Sequence, residues 1–306
     1  MNPESTQSIL SEKDKAWAEK YHYEYSQIID NVVLPTFIIP ESYAFSRQVK
    51  MREGDVCITS FPKSGSTWAT YILLLLTRQG EQPKEKDLAD TFWWPDWGSD
   101  YMLTNEQLEE APDPRLFRSH MPYQLALGGV PTDTACKYIY TARHPKDVVC
   151  SYYNYAQDFD TYQGSWDDFL RLFMEGKAWF GDWFAHAYHW WRQRDNHNIL
   201  FLWYEDIKTD FDNQVRRIAA FIDVPLSDEL LLKIKQSTTF SSMQNNSLTN
   251  MESDNQGKQA PPKKYYRKGG SGTWHEQFTE QQNEQFDAWY EQKMQEYDFC
   301  DPHLMK

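Results

Sequence analysis

The chain contains little cysteine, and its cysteines are not arranged for metal binding or for a disulfide framework. Four cysteines occur among 306 residues, and none belongs to a CxxC pair or to a set with zinc-site spacing. Cys57 and Cys136 lie within or beside strand-like apolar runs. We therefore expect these two residues to be buried structural thiols.

No apolar run is long enough to cross a membrane. The longest aliphatic run, Tyr71–Leu76, is much shorter than the roughly 20 residues that a transmembrane helix needs. Residues Met1–Lys15 are polar and mixed in charge, without the apolar core of a signal peptide. These absences predict a soluble, cytoplasmic protein with no membrane partner.

The chain is also short of positive charge. It has 31 Lys and Arg residues against 45 Asp and Glu residues, a formal net charge of −14. Binding to nucleic acid through bulk charge is therefore not expected. A polyanionic ligand would need basic residues concentrated at one place, and Lys63, Arg143 and the cluster over residues 263–268 are the candidates.

The order of the apolar patterns predicts an α/β fold. Strand-like runs alternate with helical patterns, which favours a central parallel β-sheet with helices on both faces. The predicted strands are Val56–Phe61, Leu116–Ser119, Tyr138–Ala142 and Ile199–Tyr204. The predicted helices are Ser66–Thr77, Asn105–Glu110, Lys146–Ala156, Trp166–Glu175, Asp182–Asn196, Asn213–Ile222 and Thr279–Tyr297.

No internal repeat or long linker divides the chain, so we expect a single domain over residues 1–306. Within it we expect an N-terminal helical segment over residues 1–50. Residues 241–272 are rich in Asn, Ser, Gln, Gly and Pro and end in the basic cluster, which predicts a loop that covers a cofactor.

Three chemically active residues follow predicted strands: Lys63, His120 and Arg143. Ligands of parallel sheets bind at the carboxyl ends of the strands. These side chains are therefore expected to converge at one edge of the sheet.

The turn after the first of these strands is a phosphate-binding loop of an unusual type. It places Lys63, Gly65 and two hydroxyl groups at the N-terminus of an apolar helix, where backbone N–H groups favour anions. The nucleotide-triphosphate pattern G-x-x-x-x-G-K-[ST] is absent, because no glycine precedes Lys63 at the required spacing.

The motif Pro62-Lys-Ser-Gly-Ser-Thr-Trp68 resembles the cofactor loop of the cytosolic sulfotransferases that depend on 3′-phosphoadenosine 5′-phosphosulfate (PAPS). The resemblance implies an α/β fold with a P-loop-like phosphosulfate-binding loop. It also implies that the loop binds the cofactor through Lys63, Ser64, Gly65, Ser66 and Thr67, with Trp68 stacking on the base.

A second signature is Arg143-x-Pro-Lys-Asp followed by Ser151-Tyr-Tyr. A single arginine is more often part of a surface ion pair, but in this family the motif grips the 3′-phosphate. The resemblance therefore assigns Arg143 and Ser151 to the cofactor. Ser151 would in addition hold Lys63 until the acceptor binds.

The third signature is Leu116-Phe-Arg-Ser-His-Met-Pro122, which is similar to a family strand that ends in Lys-Thr-His-x-Pro. The resemblance makes His120 the catalytic base. Arg118 replaces the lysine and would help to neutralise the transferring sulfuryl group. A lone histidine after a strand is more often a packed or surface residue.

The fourth signature, Arg267-Lys-Gly-Gly-Ser-Gly-Thr-Trp274, resembles the family pattern Arg-Lys-Gly-x-x-Gly-Asp-Trp, with Thr273 in place of the aspartate. By resemblance Arg267, Lys268 and Gly269 close over the 3′-phosphate; taken alone, such a cluster could equally be a solvated basic loop. Two weaker matches imply that the adenine is contacted by Tyr204, Thr238, Phe240 and Met243.

Two segments depart from the family pattern. The dimer motif Lys-x-x-x-Thr-Val-x-x-x-Glu falls on His275…Thr279-Glu280…Glu284, so we expect a monomer or a non-standard dimer. The acceptor segment, Asp90–Tyr101, is unusually rich in tryptophan and carboxylate. The residues that we expect to contact the acceptor are Phe61, Trp93, Trp94, Asp96, Trp97, Asp100 and Tyr155.

These signatures together predict an enzyme that moves the sulfuryl group of PAPS to a hydroxyl or amine of a small-molecule acceptor by in-line displacement. Lys63 would stabilise charge on the leaving oxygen, and no metal is expected. Aromatic and acidic residues together suggest a cationic acceptor such as an amine or guanidinium alkaloid, while the alternative is that the tryptophans enclose a planar phenol or alcohol.

Two alternatives belong to other functional classes. One is an ATP-dependent small-molecule kinase with a variant phosphate loop, and the other is a PAPS-binding protein without activity. The His186-Ala-Tyr-His189 spacing suits packing better than metal ligation, because nothing nearby in the sequence completes a site.

Overall fold

The computed structural model describes residues 26–82, 88, 91–98, 103–159, 161–250 and 269–304. In chain order the strands are Ser26–Ile29 (β1), Val32–Pro35 (β2), Val56–Ser60 (β3), Leu116–Ser119 (β4), Lys137–Ala142 (β5) and Ile199–Trp203 (β6). The helices are Pro40–Gln48 (α1), Ser66–Thr77 (α2), Asn105–Glu110 (α3), Pro145–Asp158 (α4), Trp166–Met174 (α5), Trp183–Trp191 (α6), Tyr204–Thr209 (α7), Phe211–Phe221 (α8), Asp228–Ser237 (α9), Phe240–Gln244 (α10) and Glu280–Tyr297 (α11).

The central sheet is parallel, and its strand order is β4-β3-β5-β6. Its register pairs Ile58 of β3 with Arg118 on one side and with Ile139 on the other. β5 in turn pairs with β6 through Ile139 and Leu200. All four strands of this sheet were predicted, because a strand that is covered on both faces is mostly apolar; β4 departs from this pattern, since Arg118 and Ser119 form its second half.

Helices cover both faces of this sheet. Cys57, Tyr138 and Tyr140 point into one apolar core, which also contains residues of α4, α5 and α6. Ile58 and Ile139, which alternate with them along the strands, point into a second core with α2, α8 and α9. The predicted α/β architecture is therefore confirmed.

The first described part of the chain is a β-hairpin, so the helical segment predicted over residues 1–50 is wrong for residues 26–35. β1 and β2 are antiparallel and are joined by Asp30 and Asn31, both with positive φ (48° and 62°). Two such residues between β-branched runs form the two-residue turn that matches the twist of a hairpin. Of the described residues 26–50, only Pro40–Gln48 are helical.

The segment over residues 241–272, predicted as a cofactor-covering loop, begins as a helix. Its first residues belong to the short helix α10, which Thr239 caps by accepting a hydrogen bond from the N–H of Ser242. Residues 251–268 lie outside the described part. Residues 269–272 precede a 3₁₀ turn at Thr273–Glu276.

Cys57 and Cys136 are buried free thiols, as predicted. Among the described residues, no helix is both long and apolar enough to cross a membrane.

Candidate active site

The carboxyl ends of β3, β4 and β5 open into one cavity of about 430 Å³. Lys63, His120 and Arg143, which follow these strands in turn, all line it. The convergence that the sequence predicts is therefore confirmed. Ser151 of α4 lines the same cavity.

The loop between β3 and α2 is shaped by two residues in the left-handed region, Lys63 (φ 68°) and Gly65 (φ 94°). A Cβ atom at Gly65 would lie 2.7 Å from the ring of Tyr204, so a side chain there would collide with the cavity wall. Gly65, Ser66, Thr67 and Trp68 line the cavity at the start of α2. The loop therefore presents a helix N-terminus to the cavity, the arrangement that suits an anion.

Ser64 is the exception among the predicted loop residues. Its side chain is fully buried and does not line the cavity, and its N–H donates to the carbonyl of Phe61 at 3.3 Å within the turn. The Ser64 side chain therefore packs beneath the loop, away from the cavity.

Arg118 reaches the loop from the neighbouring strand. Its Nη2 donates to Ser66 Oγ at 3.0 Å and to Thr67 Oγ1 at 3.1 Å, and its guanidinium lies 4.6 Å from the centre of the Trp94 ring. The side chain is 3% exposed, and its buried Nε has no hydrogen-bond partner within the described residues. A buried guanidinium that lines the cavity with a donor to spare is suited to an anionic oxygen.

Arg143 connects the two sides of the cavity. It donates from Nη1 to the carbonyl of Lys63 at 3.2 Å and from Nη2 to the carbonyl of Gly270 at 2.8 Å. Its guanidinium also lies 4.7 Å from the centre of the Tyr204 ring. The ammonium group of Lys63 lies 4.3 Å from the centre of the Tyr155 ring.

Aromatic residues form the end of the cavity next to α2 and α7. Trp68 stacks on Phe211 with a centroid distance of 5.9 Å, and it meets the Tyr204 ring edge-on at 5.5 Å. The other predicted adenine contacts, Thr238, Phe240 and Met243, line the cavity with them. Gly269 lines it too, whereas Arg267 and Lys268 lie outside the described residues.

The hydrogen bonds around His120 fix its tautomer. Its Nδ1 lies 2.8 Å from the carbonyl oxygen of Ser60, which can only accept, so Nδ1 carries the proton and Nε2 does not. Burial, together with the nearby Arg118, lowers the pKa of His120 to about 3. The ring is therefore neutral at pH 7 and has a free lone pair on Nε2.

His186 supports His120 from below. Its Nε2 donates to the carbonyl of His120 at 3.0 Å, so its Nδ1 accepts from the Tyr140 hydroxyl at 2.8 Å. His186 is 1% exposed, and burial lowers its pKa to about 4. No cluster of three or more metal-ligating side chains occurs in the described ranges, and the packing role predicted for His186 fits its contacts.

The opposite end of the cavity is lined by aromatic rings. Trp94 and Trp97 stack on each other with a centroid distance of 3.9 Å, and Trp94 meets the His120 ring edge-on at 5.5 Å. Both tryptophans line the cavity, as does Tyr155. Phe37, Trp179 and Phe180, which the sequence analysis missed, complete this aromatic wall.

Three residues predicted to contact the acceptor lie elsewhere. Phe61 is fully buried and packs edge-on against His186 at 5.4 Å. Trp93 pairs with the edge of β4, where its N–H donates to Leu116 and its carbonyl accepts from Arg118. Asp96 is 1% exposed and accepts a 2.7 Å hydrogen bond from Ser119, so its carboxylate does not line the cavity. Asp100 lies outside the described residues.

Some of the missed residues had a signal in the sequence. Asp158 lies seven residues after Ser151, two helical turns further along the same face of α4. Lys208 lies one turn after Tyr204. Phe37 and Trp179 had none, because the hairpin brings them together: Phe180 donates from its N–H to Val33, and Trp179 from its indole to Ser26.

The residues that depart from the family's dimer motif have contacts within the chain. His275 stacks on Trp274 with a centroid distance of 3.6 Å, and Thr279 caps α11 through a capping box with Gln282. These contacts do not bear on the oligomeric state, which remains a prediction.

A family model described as "Sulfotransferase domain" matches residues 53–298, which is most of the chain and contains every element of the cavity from β3 onward. The chain belongs to the sulfotransferase family. It is therefore an enzyme of sulfuryl transfer to small-molecule acceptors, and the kinase alternative is set aside.

Two curated relatives show how far the likeness extends. The chain is 36% identical to sulfotransferase 1B1 of Canis lupus familiaris over 254 residues, which are 81% of this chain and 86% of that protein. It is 34% identical to sulfotransferase 1 family member D1 of Mus musculus over 284 residues, 88% of this chain and 94% of that protein.

Solved structures confirm the fold. A mouse sulfotransferase complexed with PAP superposes with a TM-score of 0.73 and 26% identity, covering 90% of this chain and 96% of that one. Retinol dehydratase in complex with androsterone and the inactive cofactor PAP gives a TM-score of 0.82 at 21% identity, covering 96% and 97%.

Proposed function

We propose that this sulfotransferase uses PAPS as the sulfuryl donor and transfers the group to a hydroxyl of a flat, largely apolar acceptor, with His120 as the base. One observation carries the proposal: a single cavity joins the phosphate loop, a neutral histidine and an aromatic wall. The nucleotide end and the acceptor end thus meet at His120.

The residues present fit a phosphorylated adenine nucleotide. Gly65 and Gly269 allow the rings of Tyr204 and Phe240 to lie directly against the backbone, because a Cβ atom would come within 2.7 Å and 2.1 Å of them. The buried indole Nε1 of Trp68 has no partner within the described residues, and the same holds for Arg118 Nε. Trp68, Tyr204 and Phe240 would hold the base, and Arg143 and Ser151 the 3′-phosphate. Bound PAPS supplies an activated sulfuryl group.

His120 would remove the proton of the acceptor hydroxyl. Because the Ser60 carbonyl holds the proton on Nδ1, Nε2 is the nitrogen that accepts the acceptor proton as the new O–S bond forms. The depressed pKa of His120 keeps Nε2 unprotonated at neutral pH.

Two cationic side chains would stabilise the displacement. Lys63 would stabilise the negative charge on the bridging oxygen of the donor, and Arg118 would neutralise the sulfuryl oxygens. Arg118 is held in place by Ser66 and Thr67, and the ammonium group of Lys63 lies over the ring of Tyr155 in the same cavity.

The acceptor end favours planar molecules, because Trp94, Trp97 and Phe180 offer ring faces and edges. A phenol is also more acidic than an alkyl alcohol, so a weak base such as His120 removes its proton more readily.

A cationic acceptor is a second candidate, although Asp96 no longer supports it. Asp158 lies about 10 Å beyond Ser151 along α4, since seven residues rise 1.5 Å each, and it lines the cavity with an exposed side chain. It has no ion-pair partner among the described residues. An ammonium group on an aromatic acceptor would therefore meet a carboxylate and ring faces together.

The first experiment is an acceptor screen with PAPS over phenols, steroids, alcohols, amines and guanidinium compounds, read by mass spectrometry as the gain of one SO₃. His120→Ala should lower turnover by about 10² to 10⁴-fold, the usual contribution of a general base. PAP binding, followed by calorimetry, should persist in the variant. Full turnover in His120→Ala would remove His120 from the mechanism.

A matched pair of phenols tests the cationic acceptor. Tyramine and 4-ethylphenol share the reacting ring, but only tyramine carries an ammonium group. Asp158→Asn should raise KM for tyramine by roughly tenfold, equivalent to about 1.4 kcal/mol, and leave KM for 4-ethylphenol unchanged. Equal effects on both phenols would reject Asp158 as a cation contact.

A further inference from the structure

A buried carboxylate in the first turn of α4 holds the segment that precedes α11. Asp147 is 2% exposed. It accepts hydrogen bonds from the N–H of Gly272 at 2.6 Å, from the N–H of Trp274 at 3.2 Å and from the hydroxyl of Thr273 at 3.2 Å. One side chain thus fixes three consecutive residues.

The same segment is held from the cavity side through its carbonyl groups. Arg143 donates to the carbonyl of Gly270 at 2.8 Å. The carbonyl of Gly269 accepts from Lys208 at 2.9 Å and from the Tyr204 hydroxyl at 3.2 Å. Residues 269–274 are therefore stretched between Asp147 and the side chains that line the nucleotide end of the cavity.

The segment has little else to define its course. Gly269, Ser271 and Gly272 are exposed, and the three residues Gly269–Ser271 belong to no helix or strand. Gly269 and Gly272 both have positive φ (62° and 74°). Glycine can adopt many other backbone conformations, so these residues do not fix the course of the segment by themselves. Without the contacts to Asp147, the segment would be held only from the cavity side, by Arg143 at the Gly270 carbonyl and by Tyr204 and Lys208 at the Gly269 carbonyl.

Lys146 strengthens the attachment. Its ammonium lies 4.1 Å from the centre of the Trp274 ring, and it donates to Asn283 at 2.7 Å and pairs with Asp287 at 2.5 Å. Adjacent residues of α4 therefore bind the backbone and the ring of the same tryptophan, and Lys146 connects them to α11.

We propose that Asp147 and Thr273 form a clasp that positions residues 269–274 against Arg143, and that this clasp sets the affinity for the 3′-phosphate of the nucleotide. The inference rests on the proposed function. Thr273 stands where the family motif has aspartate, so a hydroxyl that donates to Asp147 belongs to this chain's own version of the segment. Asp147 is a positioning residue, because it acts through Arg143 and the segment.

The test compares two nucleotides that differ only in the 3′-phosphate, PAP and 5′-AMP, by calorimetry. Asp147→Asn replaces the charged acceptor by a neutral one, and Thr273→Val removes the hydroxyl with little change of shape. Hydrogen bonds to a charged group are the strong ones, so the Kd for PAP should rise about tenfold in Asp147→Asn and about threefold in Thr273→Val. The Kd for 5′-AMP should stay unchanged, and KM for PAPS should rise with kcat preserved.

Asp195→Asn is the matched control, because Asp195 is exposed and, within the described residues, makes no hydrogen bond or ion pair with residues 269–274 or with Lys146. It should leave both Kd values unchanged. Equal weakening of PAP and 5′-AMP, or unchanged binding in both variants, would overturn the clasp. If the wild-type protein itself does not prefer PAP to 5′-AMP, the proposed function fails, and the clasp with it. Thr273→Ser, which restores the hydroxyl, should restore PAP binding.

Discussion

Asp96 is predicted to make the stability of the protein fall as the pH rises from about 4 to 7. Burial raises its pKa to about 7, against 3.8 for an ordinary aspartate, and the hydrogen bond from Ser119 only partly offsets the burial. Its second oxygen, Oδ1, is buried and has no hydrogen-bond partner within the described residues. The folded protein therefore keeps a proton on Asp96 that the unfolded chain has lost.

The sign follows from proton linkage. Between pH 4 and pH 7 the folded state binds more protons than the unfolded state, so each step up in pH favours unfolding. A pKa of about 7 against 3.8, at 1.36 kcal/mol per pH unit, gives a total loss of about 4 kcal/mol, of which about 2 kcal/mol falls between pH 5 and pH 7. Asn at this position cannot titrate and does not incur this loss.

The assay is urea unfolding of the wild type and of Asp96→Asn at half-unit steps from pH 5 to pH 8. The difference in the free energy of unfolding, variant minus wild type, should increase by about 2 kcal/mol between pH 5 and pH 7. Above pH 7 this difference should level off. Asp195→Asn, at an exposed position, corrects for the loss of one carboxylate. A difference between Asp96→Asn and the wild type that does not change with pH would refute the reasoning.

Two further predictions concern the cavity. Because burial and Arg118 lower the pKa of His120 to about 3, kcat/KM should show no fall from protonation of this base between pH 8 and pH 5; an acid limb centred near pH 6.5 that persists in Asp96→Asn would contradict this. Gly65→Ala should raise KM for PAPS by about tenfold, because its Cβ would meet the Tyr204 ring at 2.7 Å, and should destabilise the fold by about 1 to 3 kcal/mol. Gly54→Ala, with φ 92° and no atom within 4 Å of its Cβ, measures the backbone strain alone, and an equal KM effect there would show that the contact with Tyr204 is irrelevant.

The nucleotide half of the cavity could be predicted from the sequence because its determinants are local. The strands are buried on both faces and each contains an apolar run, and a residue that lines the cavity follows the end of each strand within one to three residues. Lys63, His120 and Arg143 need only the parallel order of the strands to meet. The loop glycine, Gly65, is likewise fixed by its own turn.

The acceptor half could not be predicted in the same way, because its walls come from distant segments. Phe37 follows the hairpin, Trp179 precedes α6, and they meet edge-on with a centroid distance of 6.0 Å. Asp96 shows the same difficulty within one segment. A stretch of tryptophans and carboxylates does not reveal which side chains face the cavity, and here Trp94 enters it while Asp96 turns toward Ser119.

The base and the lysine of the proposed reaction are set by the same strand end. The carbonyl of Ser60, the last residue of β3, fixes the tautomer of His120, and Lys63 follows three residues later in the turn. His186 and Tyr140 hold the His120 backbone from below, so the ring is located by contacts from β3, β5 and α6 together. Because Ser60 accepts from Nδ1 whichever acceptor is bound, the basic nitrogen is chosen before the acceptor enters. The aromatic wall is then left to select the acceptor without altering the chemistry.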